Sequence, residues 1–101
     1  MFDRDNDARQ QSQTLFPLGR TVATRGVMAL MQEGRVNPAE LLARHESGDW
    51  GDLDAEDVRA NEQAVTNGDR ILSAYYVDTE KYYVVTEFDR SYTTVLLASE
   101  Y

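Results

Sequence analysis

The chain of 101 residues contains no cysteine, one histidine, one tryptophan and two prolines. Without thiols, disulfide frameworks, thiolate zinc sites and cysteine nucleophiles are excluded together, an absence that fits the cytoplasm. No apolar run approaches the roughly 20 residues that a membrane span requires. The opening "MFDRDNDARQQSQ" lacks the basic start and apolar centre of a signal peptide, so a soluble cytoplasmic protein with no membrane partner is expected. None of G-x-x-x-x-G-K, G-x-G-x-x-G or G-x-S-x-G occurs, which removes the common phosphate cradles and the serine nucleophile elbow. No cofactor is implied.

Cations are also scarce. Ten lysines and arginines stand against 18 carboxylates, for a net charge of −8. The imbalance is concentrated between Glu46 and Asp69, where eight acids face one base, Arg59. Such a field repels nucleic-acid phosphates and attracts basic surfaces, so this face is not expected to bind DNA directly, and a basic protein partner is expected instead. A solvated acidic face that only aids solubility has the same composition. Asp52, Asp54 and Glu56 alternate as calcium ligands do, but an EF-hand loop needs a glycine at its sixth position and a glutamate at its twelfth. The glycine is missing and the twelfth residue from Asp52 is Gln63, so no metal site is assigned.

What remains is the composition of an ordinary folded domain, 42% hydrophobic and 28% charged. Residues 1–13 are polar and aperiodic and read as a disordered tail; residues 14–101 read as one domain. "RTVAT" after Pro17 and Gly19 suits an edge strand. Thr24 caps a helix whose apolar side is Val27, Met28, Leu30 and Met31, with Gly34 beyond its end. Asn37 and Pro38 form an N-cap and first helical residue for "NPAELLARHESG". Asp54 and Asp57 resemble a capping box for a third helix that ends at Gly68. "RILSAYYV", "KYYVVTEF" and "TTVLLA" are β-branched and aromatic and are separated by turn-like segments. The expected fold is α+β, with about three helices packed on a small antiparallel sheet that ends in a three-stranded meander.

Two constellations stand out. His45 lies four residues after Leu41, on the core-facing side of the last helical turn, where the helix dipole favours an imidazolium. Together with Arg70, Ser73 and Thr93, and with Arg90 and the further hydroxyls of Thr86 and Ser91, it supplies the types of group a metal-independent ribonuclease uses as acid, base and phosphate ligand. A structural histidine bonded within the core fits the same position. The second constellation is "DWGDLDAED", in which Asp49, Asp52, Asp54, Glu56 and Asp57 form a docking surface and Trp50 either pins the loop or anchors a partner.

"NGDRILSAYYVDTEKYYVVTEFDRSYTTV", residues 67–95, resembles the C-terminal sheet of the barnase-type microbial ribonucleases. The resemblance implies that Arg70 binds phosphate. The family's catalytic histidine falls near Arg90, and its glutamate base falls near Ala60 and Glu62, so such chemistry requires His45 instead. Over nearly the whole chain from Leu15, "LFPLG", "LLARHESGDWGDLDAED", "NGDRILSAY" and "TEFDRSYTTVLLASEY" resemble a family of small proteins carried on bacterial plasmids and integrative elements, often labelled type I restriction subunit M. A methyltransferase subunit needs a large methyl-donor domain and an Asn-Pro-Pro-Tyr type of motif, and this chain has neither. The resemblance implies a setting, mobile elements, and the expectation of a non-enzymatic protein docking on basic nucleic-acid-binding machinery such as host defence proteins. An endoribonuclease-like domain is the alternative, and the oligomeric state stays open.

Overall fold

Three side-chain caps start the three helices. In the computed structural model, which describes residues 14–101, the Thr24 hydroxyl accepts from the Val27 N–H and opens α1 (Arg25–Gln32). Asn37 accepts from the Ala39 N–H ahead of α2 (Pro38–Glu46), with proline at the first turn. Asp54 accepts from the Asp57 N–H and opens α3 (Ala55–Asn67), which ends at Gly68 in the left-handed conformation. Each cap satisfies a donor that the helix itself leaves unpaired, which is why short polar residues mark these starts. The tail assigned to residues 1–13 lies outside the described residues.

A strand β1 (Arg20–Ala23) precedes the helices, and β2 (Ile71–Val77), β3 (Glu80–Thr86) and β4 (Tyr92–Leu97) follow them. The order across the sheet is β1-β4-β3-β2. β2, β3 and β4 form the expected antiparallel meander, with Ser73 opposite Val84 and Val84 opposite Val95. β1 joins β4 in parallel, Arg20 beside Tyr92, so the sheet is mixed. The three helices, β2 and β3 all lie between β1 and β4 in sequence, and so long a connection permits a parallel pairing that a hairpin does not.

The pleat places Tyr75, Tyr82, Val84 and Val95 on the face toward the helices. There they pack with Val27, Val36 and Leu41 in the larger core cluster. A second cluster, Phe16, Trp50, Ala64 and Ile71, lies toward the start of β2. Met28 and Met31 depart from the expected core stripe: α1 buries Val27, while the two methionines are 38% and 37% exposed. They lie beside β1, whose four residues are too few to cover them.

The β2 edge is closed by side chains and loop instead of a fifth strand. Asn61 of α3 donates to the Leu72 carbonyl (2.7 Å) and accepts from the Leu72 N–H (3.2 Å), imitating a neighbouring strand. Two residues on, the Ala74 N–H donates to the Trp50 carbonyl and the Asp52 N–H donates to the Ala74 carbonyl. This approach needs a glycine between them, because a Cβ on Gly51 would stand 1.9 Å from the Ala74 oxygen. An edge so occupied is closed to pairing with other chains.

At the β3–β4 turn, Arg90 adopts a left-handed backbone (φ 60°) and aims its guanidinium at the end of α3. It donates to the carbonyls of Ala64 (2.9 Å), Asp69 (2.6 Å) and Glu87 (3.2 Å) and lies over the Phe16 ring. A cation beside the carbonyl end of a helix is favoured by the dipole as well as by the hydrogen bonds.

Replacing Asn61 by Ala strips both Leu72 backbone groups of their partner. It is expected to lower the unfolding free energy by about 2 kcal/mol. Urea denaturation measures this, and a loss below about 0.5 kcal/mol, the range of an ordinary surface change, contradicts the role of Asn61 as an edge seal.

Candidate functional site

His45 sits at the last turn of α2 with none of its surface exposed. Its Nδ1 is 2.6 Å from the Ser73 hydroxyl of β2, and its Nε2 is 2.9 Å from the Thr86 hydroxyl of β3. Thr86 is 2.6 Å from Thr93 of β4, and Thr93 donates to the Leu18 carbonyl at 2.7 Å. A carbonyl only accepts and each hydroxyl has one proton, so the directions as far as Nε2 follow from this last bond, and the Ser73 bond takes its direction from the charge of the ring, shown by its pKa below to be neutral. Thr93 donates to Leu18, Thr86 donates to Thr93, the imidazole donates from Nε2 to Thr86, and Ser73 donates to Nδ1. A neutral ring is therefore the Nε2–H tautomer, with both nitrogens satisfied.

Phe16 and Trp50 meet the imidazole edge-on, at centroid distances of 5.2 and 6.0 Å. Burial away from water pushes the His45 pKa down to about 4, and the positive Arg90 adds to the shift. The dipole of α2 favours the imidazolium, but desolvation outweighs it here. The neighbouring Tyr75 is likewise buried, which pushes its phenol up to about 12, and its hydroxyl donates to the Asp49 carbonyl at 2.6 Å.

The four residues considered for catalysis separate into a sealed group and an outlier. His45, Ser73 and Thr93 share the hydrogen-bonded chain, and none of the three is exposed. Arg70 stands apart, immediately before β2 on the sheet face turned away from the helices. Its guanidinium is 3.9 Å from Glu87 and over the Tyr101 ring. A phosphate held by Arg70 thus has no path to the imidazole, which the sheet separates from it. Ser91 also lies elsewhere, donating to Asp89 in the β3–β4 turn. Thr86 and Arg90, offered by the sequence only as possible catalytic groups, serve the fold instead: Thr86 links His45 to Thr93, and Arg90 holds the end of α3.

The acidic stretch divides in a similar way. Trp50 is 4% exposed and stacks on Phe16, so it pins the loop and does not face a partner. Its buried indole N–H has no acceptor among the described residues, so the ring is held by packing alone. Asp49 is engaged with Arg44 at 2.6 Å, which holds its carboxyl below the ordinary range, while Arg44 also covers the Tyr75 ring. Asp52, Asp54, Glu56 and Asp57, with Glu62 one turn further along α3, are exposed. Among the described residues none of these five forms an ion pair. The Asp54 cap, the Gly51 bridge to β2 and the Asn61 bonds hold their backbone in place.

No protein-family model, curated protein or solved structure matches the chain. Among the described residues no helix is long and apolar enough to cross a membrane.

The folded histidine titrates near 4 and the unfolded one near 6.5. Below pH 6.5 the unfolded chain therefore takes up a proton that the native state refuses. The stability conferred by the neutral ring is complete above that pH and drains away as the pH falls toward 4. Between pH 7.5 and 4.5 the loss is about 2.5 kcal/mol. Urea unfolding at the two pH values, compared with His45→Gln, isolates it; an equal loss in the variant contradicts a neutral buried His45.

Proposed function

We propose that the protein is a non-enzymatic interaction protein that docks its acidic loop and helix on a basic surface of a partner, as found on proteins that bind nucleic acid. The observation that carries this reading is the run of five exposed carboxylates, Asp52, Asp54, Glu56, Asp57 and Glu62, which have no ion-pair partner among the described residues and stand on a backbone anchored to the sheet edge. Like charges held close together raise the local potential, and a fixed backbone spares a partner the entropy of ordering them. Complementary cations meeting such a surface gain chiefly in association rate and specificity.

The sealed imidazole supports the same choice. A general acid or base must reach a substrate proton, and His45 spends both nitrogens on internal hydroxyls. The resemblance to proteins of plasmids and integrative elements supplies the setting, in which host defence and DNA-processing proteins offer basic surfaces.

Because Asp54 caps α3, the appropriate variant reverses Asp52, Glu56 and Asp57 to Lys and changes Asp54 to Ser, which keeps the cap. Proteins captured from a bacterial lysate at low salt are expected to be basic nucleic-acid-binding proteins, released by moderate salt and absent with the variant. Incubation with RNA in the absence of metal is expected to give no turnover. Capture that survives the reversal contradicts the docking surface, and turnover abolished by His45→Ala contradicts the non-enzymatic reading.

A further inference from the structure

The sheet face turned away from the helices has a chemistry opposite to that of the rest of the protein. Its outward positions include Arg20 on β1, Tyr76 on β2, Lys81 and Tyr83 on β3, and Tyr92 on β4, and the strands place no carboxylate there. Glu87, one residue past β3, already faces Arg70. In a chain of net charge −8, this is a segregated cationic patch.

Aromatic rings occupy the same patch. Tyr76, Tyr92 and Tyr101 are 53%, 43% and 62% exposed, unusually open for large side chains on a sheet. The Lys81 ammonium lies 5.6 Å from the Tyr76 ring centre and 5.5 Å from that of Tyr83. Tyr101 meets Tyr83 edge-on at 5.2 Å, with the Arg70 guanidinium 5.7 Å above the Tyr101 ring. Rings and cations thus alternate across β2 and β3, a few ångströms apart.

We infer that this face binds single-stranded nucleic acid, its bases stacking on Tyr76, Tyr83 and Tyr101 while Lys81, Arg70 and Arg20 meet the phosphates. Aromatic rings accept any base, and cations beside them neutralise the backbone, which is how sequence-tolerant single-strand platforms work. A purely electrostatic surface for an acidic protein has no use for exposed rings interleaved with its cations. The acidic helix α3 borders the face at the β2 edge, where Asp57 and Leu72 line one shallow depression. That border selects against duplex, which brings two phosphate strands to it and keeps its base faces covered. The contiguous sequence hides the platform, because Arg20 and Tyr101 come from opposite ends of the chain. The inference is independent of the proposed acidic docking surface.

The test is fluorescence anisotropy with short labelled oligouridylate and oligothymidylate, the corresponding duplex, and polyglutamate of equal charge. Both single strands are expected to bind, with the duplex and polyglutamate at least about tenfold weaker. The slope of log affinity against log salt is expected near −2, about 0.7 for each of three cations. Tyr76→Ala is expected to weaken binding about tenfold and Tyr76→Phe to leave it unchanged, since stacking needs the ring and not the hydroxyl. Tyr76 is more than half exposed, and an unchanged emission from buried Trp50 verifies that the variants fold. Polyglutamate binding as tightly as the single strands, indifference to Tyr76→Ala, or no binding of either single strand at low salt each overturns the proposal.

Discussion

A histidine with no exposed surface must be neutral or paired, and in this protein it is neutral, held by a chain of hydroxyls that ends on a backbone carbonyl. That constraint organises the domain. Ser73, Thr86 and Thr93 occupy adjacent strands on the helix-facing side of the sheet, and Leu18 belongs to the segment leading into β1. His45 of α2 is thereby tied to three strands and, through them, to the beginning of the domain. Each member has a single assigned direction, so replacing any one leaves a buried polar group without its partner. Networks of this kind specify one packing over its alternatives more than they add raw stability. On one side the network meets Phe16 and Trp50, and on the other the helix that contributes Leu41 to the larger core.

Much of the fold is legible in short range. Thr24, Asn37 with Pro38, Asp54 and Gly68 mark helix ends through bonds to residues two to four positions away, and local signals of that kind survive in the chain order. The meander is equally readable, since β-branched and aromatic runs alternate with turns. What escaped depends on distance. Nothing near Arg20 specifies a parallel partner in β4. His45 meets Ser73 and Thr86 across 28 and 41 residues, and no spacing rule links them. Its position after Leu41 predicts burial correctly, yet leaves open whether the ring is charged; only the surrounding hydroxyls and apolar rings decide that. Arg90 falls where the barnase-like pattern has a histidine, and it proves to clamp the end of α3.

The candidate site was legible in part for the same reason. Carboxylates crowded in sequence remain crowded in space along a loop and a helix. Trp50 and Asp49 leave that surface, one drawn into the core and the other paired with Arg44. The tyrosines and cations of the outer sheet face are scattered from Arg20 to Tyr101, and only strand pairing gathers them. The domain consequently presents two surfaces of opposite chemistry that meet near the β2 edge, an edge occupied by Asn61 and the Gly51 loop. Both depend on the core beneath, because β2 carries Ser73 inward and Tyr76 outward.

Whether the imidazole is neutral within a closed chain of directed hydrogen bonds is read out by the long-range nitrogen–proton correlation spectrum of uniformly labelled protein near pH 6. The single histidine makes the assignment unambiguous. A closed chain predicts an unprotonated Nδ1 and a protonated Nε2 whose proton exchanges slowly with solvent. A doubly protonated ring, the Nδ1–H tautomer, or a fast average of forms would contradict it and would reopen His45 as a group able to exchange protons with a substrate.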